Sequence, residues 1–276
     1  MNNYLSLVKM CYLNSANRIQ MIFKHILLTI AFLIALSACE KKETESLGSN
    51  INQAAEGFDM ANSDPAAIEL VDSIMIAMGG RENWDKTRFI SWNFFGNRDL
   101  VWDKTLGRVR IDSRKDTITY LMNLNTMEGR VRIKGQEITE LDSLKKMLAK
   151  AKSIWINDSY WLVMPFKLMD PGVRIKYMGE EKLSGGMQCN VLELTFDNVG
   201  DTPQNKYRLY VDMSDNLIKQ WAFYSQATQD SSNFVRPWDN YREYGDILLS
   251  ADRSDGGGPR SVKVDGELPD RIFTEF

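Results

Sequence analysis

The residues equipped for chemistry in this chain are few, and their types narrow its function early. One histidine, His25, sits in an apolar stretch near the N-terminus, and the three cysteines, Cys11, Cys39 and Cys189, lie far apart. Beyond that stretch there is no histidine. Ser-His-Asp and Cys-His catalysis are thereby excluded for whatever folds downstream, since each needs an imidazole to carry the proton. A Cys/His zinc site fails on the same count. Carboxylates remain. Asp158 and Asp170 flank the most apolar segment after residue 39, and Asp103 and Asp112 lie near strand ends. A glycosidase would need two such groups roughly 5–10 Å apart across a cleft. With 37 Asp+Glu in the chain, ordinary surface and ion-pair roles account for these four. The expectation is no enzyme and no cofactor. Lys167, next to Phe166, is either an anchor for a phosphate headgroup or a surface lysine with its stem laid on apolar neighbours. Asp197, Asp201 and Asp252 match no calcium-loop spacing and read as solvated turns, so no metal is expected.

An apolar ligand site needs none of these groups. Such sites are concave, lined by aliphatic and aromatic side chains, with few polar anchors. The candidate liners are Trp92, Phe94, Trp102, Trp155, Trp161, Met164, Phe166, Trp221 and Phe223. Met164, with Met169 near it, would add adaptable contacts. Any one of these residues could equally be core filling. Trp238, Asp239 and Tyr241 form a second cluster, either a binding mouth or a packed corner.

Cys39 has a chemistry of its own. Lys24 precedes an apolar run over 26–38 that closes with Leu36-Ser37-Ala38 before Cys39. A basic start, an apolar segment of about 7–15 residues and small residues before a cut define a signal peptide. A membrane-spanning helix would want about 20 apolar residues. The stretch resembles a bacterial lipoprotein signal peptide with its lipobox. That resemblance implies cleavage before Cys39 and acylation of its sulfur and new amino terminus, palmitate-like chains holding the protein to a membrane. Two or more acyl chains anchor stably, at about 0.8 kcal/mol per buried methylene. Residues 21–38 are therefore read as the signal, with Met21 as its start and residues 1–20 as a mis-called extension.

Composition fixes the rest of the frame. Residues 1–38 hold Lys9, Arg18 and Lys24 and no acid, so removing them takes the formal net charge from −3 to −6. An acidic chain with interspersed lysine and arginine and no basic block is not a nucleic-acid binder. Residues 39–63 are polar and aperiodic and read as the lipidated cysteine and a flexible tether. The charged run at 40–45 is either plain linker or a loose likeness to surface-export signals. Residues 64–276 are enough for one domain with a sizeable core.

The elements that must position these side chains follow from periodicity. Asp64 and Pro65 open a helix whose apolar positions Ala67, Ile68, Val71, Ile74 and Met78 recur at helical spacing, and Gly79-Gly80 closes it. Strands are expected over 88–96, 98–103, 106–112, 116–124 and 127–135, separated by tight turns. Residues 137–152 return to helical period. The segment 154–166 fits neither period and is expected as one or two short helices against a concave face. Strands resume over 173–179, 188–197, 205–213, 217–226, 240–251, 259–265 and 268–273. This order predicts an α+β, mainly β fold, with about 11–12 strands in one strongly curved antiparallel half-barrel wrapped around helices.

In element order and lipoprotein start, residues 64–273 resemble the LolA/LolB-like superfamily of outer-membrane lipoprotein-sorting proteins. The segments 155–166 and 237–241 look like those of envelope proteins of that kind. The resemblance implies a half-barrel over an apolar cavity, a lipid or other hydrophobic ligand, and a place in lipoprotein or lipid trafficking. It implies attachment at the outer membrane, facing the periplasm or the cell surface. The carrier's lid-locking arginine and the receptor's protruding apolar loop match no position here. The alternative is a non-enzymatic interaction lipoprotein with a filled core and an outer-membrane protein partner.

Overall fold

The computed structural model describes residues 52–197 and 199–276. The expectations for the signal segment, for Cys39 and for the start of the tether lie outside the described residues.

After a 3-10 turn at Met60–Asn62 come α1 (Pro65–Ala77) and α2 (Arg81–Lys86). Six strands follow: β1 (Phe89–Phe94), β2 (Arg98–Asp103), β3 (Arg108–Ser113), β4 (Ile118–Asn123), β5 (Gly129–Ile133) and β6 (Gln136–Glu137). The long α3 (Leu141–Val163) and a 3-10 turn (Met164–Lys167) lead to β7 (Val173–Lys182), β8 (Gln188–Phe196), β9 (Lys206–Asp212) and β10 (Ile218–Tyr224). The chain ends with β11 (Phe234–Pro237), β12 (Tyr241–Tyr244), β13 (Ile247–Ser250), β14 (Pro259–Asp265) and α4 (Arg271–Thr274).

The fold is α+β and mainly antiparallel, with its sheets not closed into a barrel. Where one sheet of about 11–12 strands was expected, fourteen strands form three hydrogen-bonded groups among the described residues: β14-β1-β2-β3-β4-β5-β6, β11-β10-β9-β8-β7, and the hairpin β12-β13. The division has a local cause. The helical stretch 141–167 separates β6 from β7, and β14 returns to pair with β1. Bulges between Ser91 and Asn93, between Tyr177 and Glu180, and between Ile218 and Gln220 interrupt the ladders. Each such bulge bends its strand and increases the local twist.

One core runs beneath both large sheets and around the helices. It includes Val71 and Ile74 from α1, Ile111 from β3, Leu162 from α3, and Leu192, Leu209 and Trp221 from the second sheet. Alternation puts Val109 and Ile111 inward on β3 and Arg108 and Arg110 outward.

α1 ends as expected. The Gly80 amide donates to Met75 O and the Gly79 amide to Ile76 O, the paired bonds of a Schellman stop. Gly79 has φ +105°, and a Cβ there would sit 2.3 Å from the Asp246 carbonyl oxygen. At its other end Asp64 makes no side-chain cap bond to the helix. Its carboxylate accepts instead from the Tyr177 amide at 3.0 Å.

Four local expectations need correction. Residues 52–63 read as tether from their polar composition, yet they are built onto the domain. Phe58 is buried, the Ala55 amide donates to Met169 O at 3.0 Å, and the Asp59 amide donates to Val173 O at 3.1 Å. With Ser63 and Asp64 they cover the first half of the β7 edge, which would otherwise present unpaired groups. The segment 154–163 continues α3 as one 23-residue helix. Its weak helix formers are overruled by burial of Asp158, Ser159, Leu162 and Val163 on one side. The strand expected over 240–251 is a hairpin turning at Gly245 and Asp246. The strand expected over 268–273 is the short helix α4. Pro269 cannot donate to a ladder, and Phe273 lies against Phe89 and under the Arg108 guanidinium.

Candidate hydrophobic ligand site

α3 crosses the inner face of the second sheet, and the two do not meet along its whole length. Between them lies a cavity of about 680 Å³. The sheet side of its wall comes from the strand register. Tyr207, Phe223 and Phe234 are direct cross-strand partners on β9, β10 and β11. Their rings are 5.4 and 5.0 Å apart. Trp221, two residues before Phe223 and on the same face, stacks on Tyr207 at 5.4 Å with planes 6° apart. Such aromatic rows across a sheet stabilise it by side-chain contact alone. Phe196 adds an edge contact to Tyr207 at 5.7 Å. From the helix side come Trp155, Ile156, Tyr160 and Trp161. Trp161 meets Trp221 edge-on at 4.7 Å, and Tyr160 faces Tyr207 at 5.5 Å.

Polar groups stand around this aromatic wall, and most are already paired. Lys167 pairs with Asp170, and the Ser153 hydroxyl donates to Asp201. The Asn205 amide group donates to the Thr202 hydroxyl at 2.6 Å. Burial pushes the Tyr160 phenol well above its usual range, with Tyr207 and Asp170 adding to the shift. Burial also raises Tyr207, against a hydrogen bond from Asn205. Both rings therefore keep their protons at neutral pH.

Of the nine residues proposed from sequence, Trp155, Trp161, Trp221 and Phe223 line the cavity. The other five do not. Trp92, Phe94, Trp102, Met164 and Phe166 are buried in the core at 8% exposure or less. They come from β1, β2 and the 3-10 turn, where helices fill the space under the first sheet. Trp102 packs on Trp84 and Trp155, and Phe166 stacks on Trp84 at 4.3 Å. The sequence reading missed Tyr160, Phe196, Tyr207 and Phe234 as liners. Two of them carried a signal, since Phe196 and Tyr207 continue the inward alternation of β8 and β9 to the strand ends.

The four carboxylates considered for catalysis are each engaged. Asp158, fully buried, takes a two-pronged bond from Arg98 at 2.6 and 2.8 Å, joining α3 to β2. Burial pushes its carboxyl up, against the pull of Arg98. Burial also works to raise Asp103, but the guanidiniums of Arg88 and Arg108 outweigh it and hold it below the usual range. Arg110 holds Asp112, and Lys167 holds Asp170. Among the described residues no three of His, Cys, Asp and Glu gather where an ion could be held.

Trp238, Asp239 and Tyr241 form a packed corner. Arg253 lies 3.7 Å over the Trp238 ring and donates to the Ser250 hydroxyl and to Trp161 O at 2.6 Å. Burial pulls this guanidinium down to about 10. The corner is thus bonded to the backbone of the helix segment that carries the cavity wall.

No protein-family model matches the chain, and no curated protein matches it. Solved structures similar to it include a DUF1329 family protein from Desulfovibrio piger, 14% identical, covering 76% of this chain and 98% of its own, TM-score 0.38. A second is described as a putative outer membrane lipoprotein-sorting protein domain from Vibrio parahaemolyticus, 10% identical, covering 76% and 97%, TM-score 0.39. A third is a LolA superfamily protein from Nitrosomonas europaea, 14% identical, covering 74% and 97%, TM-score 0.35. At this level the likeness says nothing of activity, and the fold stands on the sheets and helices described above.

Proposed function

We propose that this chain is an envelope lipoprotein, anchored through Cys39, that binds or carries a lipid, an acyl chain or a comparable hydrophobic ligand. The anchoring membrane is the outer membrane, with the domain on its periplasmic side. The protein is a binder and not an enzyme. The single observation that carries this reading is the aromatic-lined cavity of about 680 Å³ between α3 and the second sheet. Pockets of roughly 300–1,000 Å³ lined mainly by apolar side chains are the usual form of small-ligand sites. The engaged state of the candidate carboxylates supports a non-catalytic role.

Native mass spectrometry of the full chain, with extraction of what it holds, tests the reading. Near-stoichiometric lipid or fatty acyl material is the expected result. The double substitution Phe223→Ala, Phe234→Ala should lower that content several-fold, because both rings are half-exposed wall and not deep core. An empty protein that also takes up no added lipid would remove the ligand site and leave an interaction lipoprotein. Independently, Cys39→Ala should move the protein from the membrane fraction to the soluble one. Retention in the membrane fraction would defeat the anchoring half of the proposal.

A further inference from the structure

The charge pattern around the cavity selects among hydrophobic ligands. Its lining contains one cation, Lys167, and two carboxylates, Asp170 and Asp201, among the described residues. Lys167 is committed to Asp170, and Asp201 accepts from Ser153. Thr202 and Asn205 are bonded to each other. No unpaired cation faces the cavity to receive a phosphate or an ionised carboxylate, and the surplus charge is negative. An anion entering an aromatic space without a cation loses its hydration and finds no counter-charge in exchange. A headgroup phosphate anchored by Lys167 would first have to displace Asp170.

Three donors in the wall are left over: the indole N–H groups of Trp155 and Trp221, which are buried without a partner, and the hydroxyl of Tyr160. The Tyr160 hydroxyl makes no hydrogen bond among the described residues, although its ring is held against Tyr207 and Phe196. A phenol that keeps its proton is a donor and a neutral acceptor. It suits the oxygen of an ester, an amide or an alcohol; toward an anion it can donate one hydrogen bond but supplies no counter-charge for the lost hydration.

Resting on the hydrophobic-site reading above, we infer that the cavity takes an amphiphile whose polar part is uncharged, with Tyr160 among the donors that fix it, and that it discriminates against anionic headgroups and free fatty acids. Tyr160 thereby becomes a specificity-determining residue.

The test titrates the full chain, stripped of bound lipid, with 1-monolauroylglycerol and with laurate at pH 8, each below its micelle concentration. Tryptophan fluorescence reads the binding, because Trp155, Trp161 and Trp221 lie in the wall. Monolauroylglycerol should bind at least about tenfold more tightly than laurate, since an unpaired buried charge costs more than one neutral hydrogen bond returns. Tyr160→Phe, which keeps the ring, should weaken monolauroylglycerol by about tenfold and leave the melting temperature unchanged. Laurate binding as tightly as the glyceride, or a Tyr160→Phe protein with full glyceride affinity, would overturn the inference while leaving a hydrophobic site in place. Failure of both probes to bind would overturn the inference and the hydrophobic site together.

Discussion

Arg98→Met is expected to destabilise the domain by about 3–5 kcal/mol at neutral pH. The substitution leaves Asp158 with no accessible surface and without the two-pronged partner that holds it. The loss should depend on pH in a defined direction. Burial already raises the Asp158 carboxyl in the intact pair, and removing the cation raises it further. A raised folded-state pKa in an acid means that the protonated form folds best. The variant should therefore be nearest to wild type under acid conditions, below the ordinary carboxylate range, and fall away as pH rises. Adding Asp158→Leu should recover most of the loss, because an apolar pair replaces a stranded charge. Urea melts at pH 4 and pH 8 on the three proteins decide this. A variant equally weakened at both pH values, or a double variant no better than the single, would mean that the ion pair does not govern the α3 to β2 contact.

Asp72→Asn should act in the opposite sense. Asp72 lies in α1 at 6% exposure, and one of its carboxylate oxygens has no partner. Burial, with Glu69 adding to it, raises its carboxyl from 3.8 to about 6. Below 3.8 both states are protonated and no penalty arises. As pH climbs through that value the unfolded chain ionises first, and stability is lost until the folded group ionises near pH 6. Above that the deficit is constant, at about 3 kcal/mol by the linkage relation. Asparagine keeps the shape and removes the charge, though its amide must still be buried. A gain of about 2 kcal/mol at pH 8, or about 4–8 °C for a domain of this size, is the expected result. At pH 4 the melting temperatures should coincide within a degree or so. Equal gains at both pH values would show that the effect is not ionisation.

The first half of the fold was legible because each strand there has one wet face and one dry face. Regular alternation with short turns marked β1 to β5 to within a few residues. The second half was harder. β11 is a short strand reached through a polar loop, and little in its sequence separates it from that loop. Sequence alone ends the helix 141–163 too early because Trp155, Ile156, Tyr160 and Val163 are weak helix formers. What keeps them helical is tertiary, the Arg98–Asp158 bond and burial under two sheets. The site divided in the same way. Sequence shows which residues are large and apolar, so Trp161 and Trp221 could be named. Whether a ring fills a core or borders a void depends on how far a helix stands from a sheet. Trp102 and Phe166 found neighbours at packing distance, whereas Phe223 borders the gap between α3 and the sheet. No local pattern encodes that separation.

The strap at 52–64 has a mechanical consequence. The Ala55 amide is bonded to Met169, the Gly172 amide to Gly57 and the Asp59 amide to Val173. Pro171 and Val173 belong to the cavity wall. A pull applied at residue 52 is therefore borne first by bonds to the 169–173 segment that leads into that wall, before any helix or central strand feels it.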